Sequence, residues 1–99
     1  MARVLFTISY GIKPEARAAY ETHIVKLKNH LTTVAGKNYS VFEVKGKKDQ
    51  FMELFVAESV EEFDALEDNL DPESEALIAQ IEEFTDGNGM KYITYVEKV

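Results

Sequence analysis

The sequence predicts an α+β fold, with one antiparallel sheet of four strands and two helical regions in the order β-α-β-β-α-β. Three observations carry this. Apolar residues recur with period two in "RVLFTISYGI", "NYSVFEV", "QFMELFVAE" and "MKYITYVEKV". Between the first two runs, and again between the last two, the apolar spacing lengthens to three and four residues. The middle runs are separated only by the turn residues "GKKD", so they read as a hairpin.

In the first strand Val4, Phe6, Ile8 and Tyr10 share one face, and Leu5, Thr7 and Ser9 share the other. "GIKP" breaks the strand, and Pro14 suits a first helical position. From Pro14 to about Ala35, Tyr20, Ile24, Leu27, Leu31 and Val34 form one helical stripe, which Gly36 is placed to stop. Pairing Lys45 with Gln50 across the hairpin sets Phe42 opposite Glu53 and Ser40 opposite Phe55. Ser59 and Glu62 have capping-box spacing, and Phe63, Leu66 and Leu70 follow as an apolar stripe. Asp71 and Pro72 supply a second cap and a second first-turn proline. Leu77, Ile78, Ile81 and Phe84 resume the stripe, and "DGNG" ends it before the last strand. This is the element order of a ferredoxin-like split unit.

The hairpin strand after the turn is apolar on both faces, with Phe51 and Phe55 on one and Met52, Leu54 and Val56 on the other. Two helices can cover only one face of the sheet. At roughly 25 cal/mol per Å² of apolar area, leaving the other face in water is unfavourable. The sequence therefore predicts a homodimer packed sheet against sheet, or a higher homo-oligomer.

Composition narrows the function classes. A chain of 99 residues predicts one domain, residues 1–99. An apolar fraction of 45% argues for a folded globule. Without cysteine there is no disulfide, thiolate nucleophile or cysteine metal site, which fits a cytoplasmic protein. No run approaches the ~20 apolar residues of a membrane span, and "MARVLF" lacks the apolar stretch of a signal peptide. The net charge of −7 is unevenly spread: residues 49–90 hold fourteen acids and no Lys or Arg, residues 1–48 nine Lys or Arg and three acids. The acidic half opposes binding to nucleic acid or to anionic membrane. It reads as a solvated helical face, or as a surface complementary to the basic half of another subunit.

"YGIKPE" closing a strand, the hairpin "VFEV…ELFVAES" and the helix "VEEFDAL" together resemble the dimeric α+β barrels, a superfamily that includes antibiotic-biosynthesis-monooxygenase-like (ABM-like) and haem-degrading proteins. The resemblance covers nearly the whole chain. It implies an α+β barrel built by two sheets, and a site in a cavity between a subunit's sheet and its own helices. Haem-degrading members use an asparagine on the first strand, a tryptophan ending the third and a histidine on the second helix. Thr7 and Ala57 stand at the first two places, and no histidine follows His30. Haem degradation is thus disfavoured, and neither a cofactor nor a metal is expected.

His23 and His30 are seven residues apart on one helix, about 10.5 Å at 1.5 Å per residue, too far to share a metal. Both fall at the edge of the apolar stripe and read as boundary residues, with His23 alone as a candidate proton carrier. Glu53 lies mid-strand between Met52 and Leu54, on the face of Phe51 and Phe55. The register implied by the resemblance makes that the cavity side, together with Leu5, Thr7, Ser9, Ser40 and Phe42. A desolvated carboxylate there has a raised pKa and suits proton abstraction next to a carbonyl. Five tyrosines lie in apolar runs, and Tyr20 and Tyr95 are the candidates to meet a phenolic or keto ligand. Asp64, Glu67, Asp68 and Asp71 share a helical side but lack a calcium-loop pattern.

The expected function is a cofactor-independent monooxygenase- or isomerase-like protein acting on a small, apolar, oxygenated compound. Glu53 and His23 are the catalytic candidates; Thr7, Ser9, Tyr20, Phe42, Phe55 and Tyr95 are the substrate-binding candidates. The alternative is a non-catalytic homo-oligomer that binds a small ligand or only assembles. An RNA-recognition domain shares the element order, but its aromatic signature is absent.

Overall fold

Each alternating run becomes a strand in the computed structural model, which describes residues 2–99. β1 (Val4–Gly11) is central, paired antiparallel with β3 (Gln50–Ala57) on one side and β4 (Lys91–Val96) on the other. β2 (Tyr39–Glu43) pairs with β3, so the sheet order is β2-β3-β1-β4. α1 (Arg17–Asn29) follows a short 3₁₀ turn at Pro14–Ala16. α2 (Val60–Asp68) and α3 (Pro72–Gln80) are separate helices broken at Asn69–Asp71. The side chain of Glu67, part of the acidic face of α2, lies outside the described ones.

The helices sit on one face of the sheet. Val4, Phe6, Ile8 and Tyr10 pair with Ala57, Phe55, Glu53 and Phe51 on that face. Over them pack Tyr20, Leu27 and Leu31 from the α1 segment and Ile81 after α3, all fully buried. The helical stripe closes one residue early: Val34 is 73% exposed. After Asn29 the helix widens into a π turn, His30–Val34, with the Ala35 N–H reaching the His30 carbonyl. The extra residue in that turn rotates Val34 off the packed side. Gly36, at φ 67°, then ends the segment in the left-handed conformation expected of a stop.

Both predicted caps form. The Ser59 side chain accepts from the Glu62 N–H at 3.1 Å, and the Glu62 carboxylate reaches back to the Glu58 N–H at 2.9 Å. Asp71 caps α3 through the Ser74 N–H, with Pro72 in the first turn. Ser59→Ala should lower stability by about 1 kcal/mol, a fall in melting temperature of about 4–8 °C by circular dichroism.

The hairpin register differs from the expected one by a single residue. Val41, not Phe42, opposes Glu53; Phe42 opposes Met52; Ser40 opposes Leu54; Tyr39 opposes Phe55. The loop spans Lys45–Asp49, closed by the Val44 N–H on the Gln50 carbonyl at 2.8 Å. Gly46 and Asp49 both take positive φ there, 84° and 63°. Lys45 therefore belongs to the turn, and every side chain of β2 changes face relative to the expectation. Arg17 of α1 holds this hairpin through Glu43 at 2.9 Å and Asp49 at 3.0 Å, with its guanidinium 5.1 Å from the Phe51 ring centre.

The sheet face away from the helices carries Leu5, Thr7, Ser9, Ser40, Phe42, Met52, Leu54, Val56, Ile93 and Tyr95. Phe42 is 49% and Tyr95 50% exposed. The sheet is apolar front and back, as its alternating runs predict.

Candidate functional site

Among the described residues, Glu53 is the most deeply buried charged one, at 1% exposure. It sits in the middle of β3 with Ile8 opposite on β1 and Val41 opposite on β2. Its polar neighbours come from the diagonal positions of both flanking strands, which long side chains can span. Tyr39, opposite Phe55, donates its hydroxyl to Oε1 at 2.6 Å. Tyr10, opposite Phe51, is the second hydroxyl neighbour, and it bonds in turn to the Tyr20 hydroxyl of α1 at 2.8 Å. Two hydroxyl pairs thus lie side by side, Tyr39 on Glu53 and Tyr10 on Tyr20, inside an aromatic shell that includes Phe51 and Phe55.

Burial pushes the Glu53 carboxyl above its ordinary value of 4.5, against the opposing pull of the Tyr10 and Tyr39 hydrogen bonds and the charge of His23. Burial and the Glu53 charge raise Tyr10 and Tyr39 far above the usual phenol range, so both remain donors. Burial also raises Tyr20, opposed by its bond to Tyr10.

His23, one turn along α1 from Tyr20, lies on the same side of the sheet. Its Nε2 is 2.7 Å from the Leu77 carbonyl and so donates to it, tying α1 to α3. Among the nominated residues, Glu53, His23, Tyr20 and Phe55 are brought together on the helix side. Thr7, Ser9, Phe42 and Tyr95 are not: they lie on the opposite face, and the Thr7 hydroxyl is used on the Ile93 carbonyl at 3.2 Å. The expected grouping of Leu5, Thr7, Ser9, Ser40 and Phe42 with Glu53 is therefore corrected. Antiparallel partners share a face, and Glu53's partners are Ile8 and Val41.

Sequence reading passed over Tyr10 and Tyr39 as ordinary core tyrosines. The available signal was their parity, since both alternate with Ile8 and Val41 on the strands either side of a lone carboxylate. On the flank of the cluster, α1 and β2 border a groove of about 310 Å³ lined by Ile24, Val25, Val41 and Phe51 together with the charged Glu21, Lys28 and Glu43, with Tyr20 beneath and Phe42 at the β2 rim.

His30 also gains partners from outside its own helix. Nε2 lies 2.8 Å from Asp71 and Nδ1 3.2 Å from Glu73. Together these three side chains could offer ligand atoms to a metal, their donor atoms lying within 4.8 Å of one another. Each carboxylate faces a different ring nitrogen, however. That arrangement suits a ring bridging the end of α1 and the start of α3 better than a chelate.

Hydrogen bonds from Ser74 and His30 hold Asp71 well below its ordinary value of 3.8. Its stabilising contribution is complete above that value and is lost as pH falls below it. Glu53 behaves oppositely: its raised pKa makes its contribution complete below 4.5 and lost as pH rises through the folded value. Melting temperatures should thus fall on both sides of mild acid. Asp71→Asn, which keeps the cap, should flatten the acid limb. An unchanged limb would mean that Asp71 does not carry it.

A central antiparallel sheet in the order β2-β3-β1-β4 with helices on one face is a ferredoxin-like α+β fold, shared with solved structures of proteins described as antibiotic biosynthesis monooxygenases. The protein has that fold. It is similar over 99% of its length to a conserved protein from Methanosarcina mazei Go1, with 14% identity, 95% of that chain covered and a TM-score of 0.81. A candidate antibiotic biosynthesis monooxygenase from Caulobacter crescentus CB15 matches with 16% identity over 99% of this chain and 91% of that one, at a TM-score of 0.78. SnoaB, a cofactor-independent oxygenase from Streptomyces nogalater, matches with 10% identity over 98% and 94%, at a TM-score of 0.74. No protein-family model and no curated protein sequence matches the chain. Among the described residues, no helix is long and apolar enough to cross a membrane.

Proposed function

We propose that residues 1–99 act as one cytoplasmic, homodimeric domain that catalyses proton abstraction from a small, apolar, oxygenated compound without a cofactor, in the manner of a monooxygenase or isomerase. The observation that carries this reading is the carboxyl of Glu53, 1% exposed, bonded to the Tyr39 hydroxyl and neighboured by the Tyr10–Tyr20 hydroxyl pair. A core carboxyl with a raised pKa costs stability that an apolar residue would not, and such groups concentrate at functional sites.

The substrate approaches through the α1–β2 groove. Its aliphatic and aromatic walls, bordered by Glu21, Lys28 and Glu43, suit an oxygenated ring or keto compound, and its volume of about 310 Å³ lies within the range of small-molecule sites. Tyr20, beneath the groove, passes the proton inward to Tyr10 and Glu53. The carbanion left behind is either reprotonated at another carbon, which is isomerisation, or oxidised by dioxygen. In the second case one oxygen atom enters the substrate and the other leaves as water. His23 favours the ionised form of Glu53 by its charge. The fold shared with a cofactor-independent oxygenase supports the oxygen branch. Phe55 forms part of the aromatic shell around Glu53, while Thr7, Ser9, Phe42 and Tyr95 face the side covered by a second copy.

The test is a panel of quinols and cyclic keto compounds offered to the metal-free protein, followed by oxygen uptake and by isomer analysis. Turnover of at least one member supports the reading. Saturable binding with neither reaction would instead make the protein a non-catalytic ligand binder.

A further inference from the structure

Glu21, Lys28 and Glu43 border the α1–β2 groove, and two of these charges are already answered. Arg17 binds Glu21, one turn along α1, at 3.2 Å and Glu43, across on β2, at 2.9 Å. It reaches Asp49 as well, at 3.0 Å. One guanidinium thus joins helix to hairpin and neutralises the acids at that end of the groove. Lys28 stands at the other end and forms no ion pair among the described residues.

The sequence around Lys28 gives the reason. Its neighbours one turn away are Ile24, Val25, Leu31 and Thr32, none of them acidic. The Thr32 hydroxyl is used on the Lys28 carbonyl at 2.7 Å. Glu21 is seven residues back, about 10.5 Å along the axis. Glu43, the one acid of β2, closes that strand at the Arg17 end. Between the two ends the walls are apolar, with Ile24 and Val25 on the helix and Val41 and Phe51 on the sheet. Val25 is 57% exposed, although the other exposed positions from Glu21 to Asn29 are all polar. An exposed apolar wall therefore leads to an unanswered cation.

We propose that Lys28 receives a carboxylate of the ligand, so that the groove selects an oxygenated ring compound bearing an anionic group. This rests on the groove as the substrate site of the proposed function and adds the charge of the substrate. The ring lies against Val25, Val41 and Phe51 above Tyr20, and the carboxylate meets the Lys28 ammonium. The aliphatic stem of Lys28 extends the apolar wall while its head stays at the rim. Tyr20 and Lys28 are eight residues apart, about 12 Å along the helix axis. The carboxylate and the reacting carbon thus sit at opposite ends of the ligand. The net charge of −7 makes Lys28 decisive, because without it an anion entering the groove meets a repulsive field.

A hydroxynaphthoate and the naphthol that lacks its carboxylate test this as a matched pair of probes. The chain has no tryptophan, so the fluorescence anisotropy of either probe reports binding to the full chain. Amide shifts at Val25 and Val41 locate the probes. At low salt the hydroxynaphthoate should bind about fivefold more tightly than the naphthol, the upper end for an exposed ion pair. Lys28→Gln should abolish or reverse that preference and leave the naphthol affinity unchanged. Lys26→Gln, on the His30 side of the helix, should keep the preference. Equal affinities in the wild-type chain, tighter binding of the naphthol, or a preference that survives Lys28→Gln would overturn the inference and leave the groove as the site. If neither probe moves the Val25 and Val41 amides, the groove is not the site, and the proposed function loses its point of entry together with this inference.

Discussion

Glu53→Gln should lower turnover by about 10²–10⁴-fold, the usual contribution of a positioned general base. The amide keeps the shape and a hydrogen-bonding oxygen for Tyr39, but it cannot take up a proton. The loss should fall on kcat, since Glu53 is sealed from the groove and does not contact bound substrate. Stability should move the other way. The wild-type carboxyl has a pKa above 4.5 in the fold, so ionising it in the core opposes folding more as pH rises. The glutamine variant is uncharged throughout and should lose that part of the pH dependence, melting at or above the wild-type temperature at neutral pH. Undiminished activity on an identified substrate would remove Glu53 from the mechanism. A variant that melts far lower at every pH would make Glu53 a structural residue.

Leu54→Asp should raise the dissociation constant of the proposed sheet-to-sheet dimer by at least about 10²-fold, because an unpaired carboxylate buried between two sheets costs several kcal/mol. Leu54 lies at the centre of the face away from the helices, between Thr7 of β1 and Ser40 of β2. In the lone subunit it is only half-buried, so folding itself should change little. Sedimentation across a concentration series should show the loss of one association step. Wild-type mass at every concentration would mean that this face is not an interface, and the functional assignment would lose its homodimer.

Much of the architecture was readable from local chemistry. Alternation in "RVLFTISYGI" and "MKYITYVEKV" marked strands, because a pleated chain shows successive side chains to opposite faces. Ser59, Asp71 and Pro72 marked helix starts, because the first N–H groups of a helix need acceptors or must be absent. Glu53 stood out because a carboxylate among Phe51, Met52, Leu54 and Phe55 must be either paired or functional. The companions nominated for it were largely wrong. Phe42 and Ser40 went to the wrong face through a register error of one residue, and Thr7 and Ser9 through the choice of face on β1.

Periodicity, capping residues and the two-sided greasiness of β3 are properties of neighbours along the chain, so residue order alone settled the β-α-β-β-α-β arrangement and marked Glu53 as anomalous. The company Glu53 keeps is a long-range matter. Tyr39 and Tyr10 reach it from strands on either side, and Tyr20 joins through α1, 33 residues away in sequence. Which of them arrive depended on a five-residue loop holding Gly46 and Asp49 at positive φ, since moving a strand by one place turns every side chain over. His30 likewise found Asp71 and Glu73 only because α3 packs beside α1. Strand pairing and helix packing brought these groups together across distances over which sequence spacing carries no information.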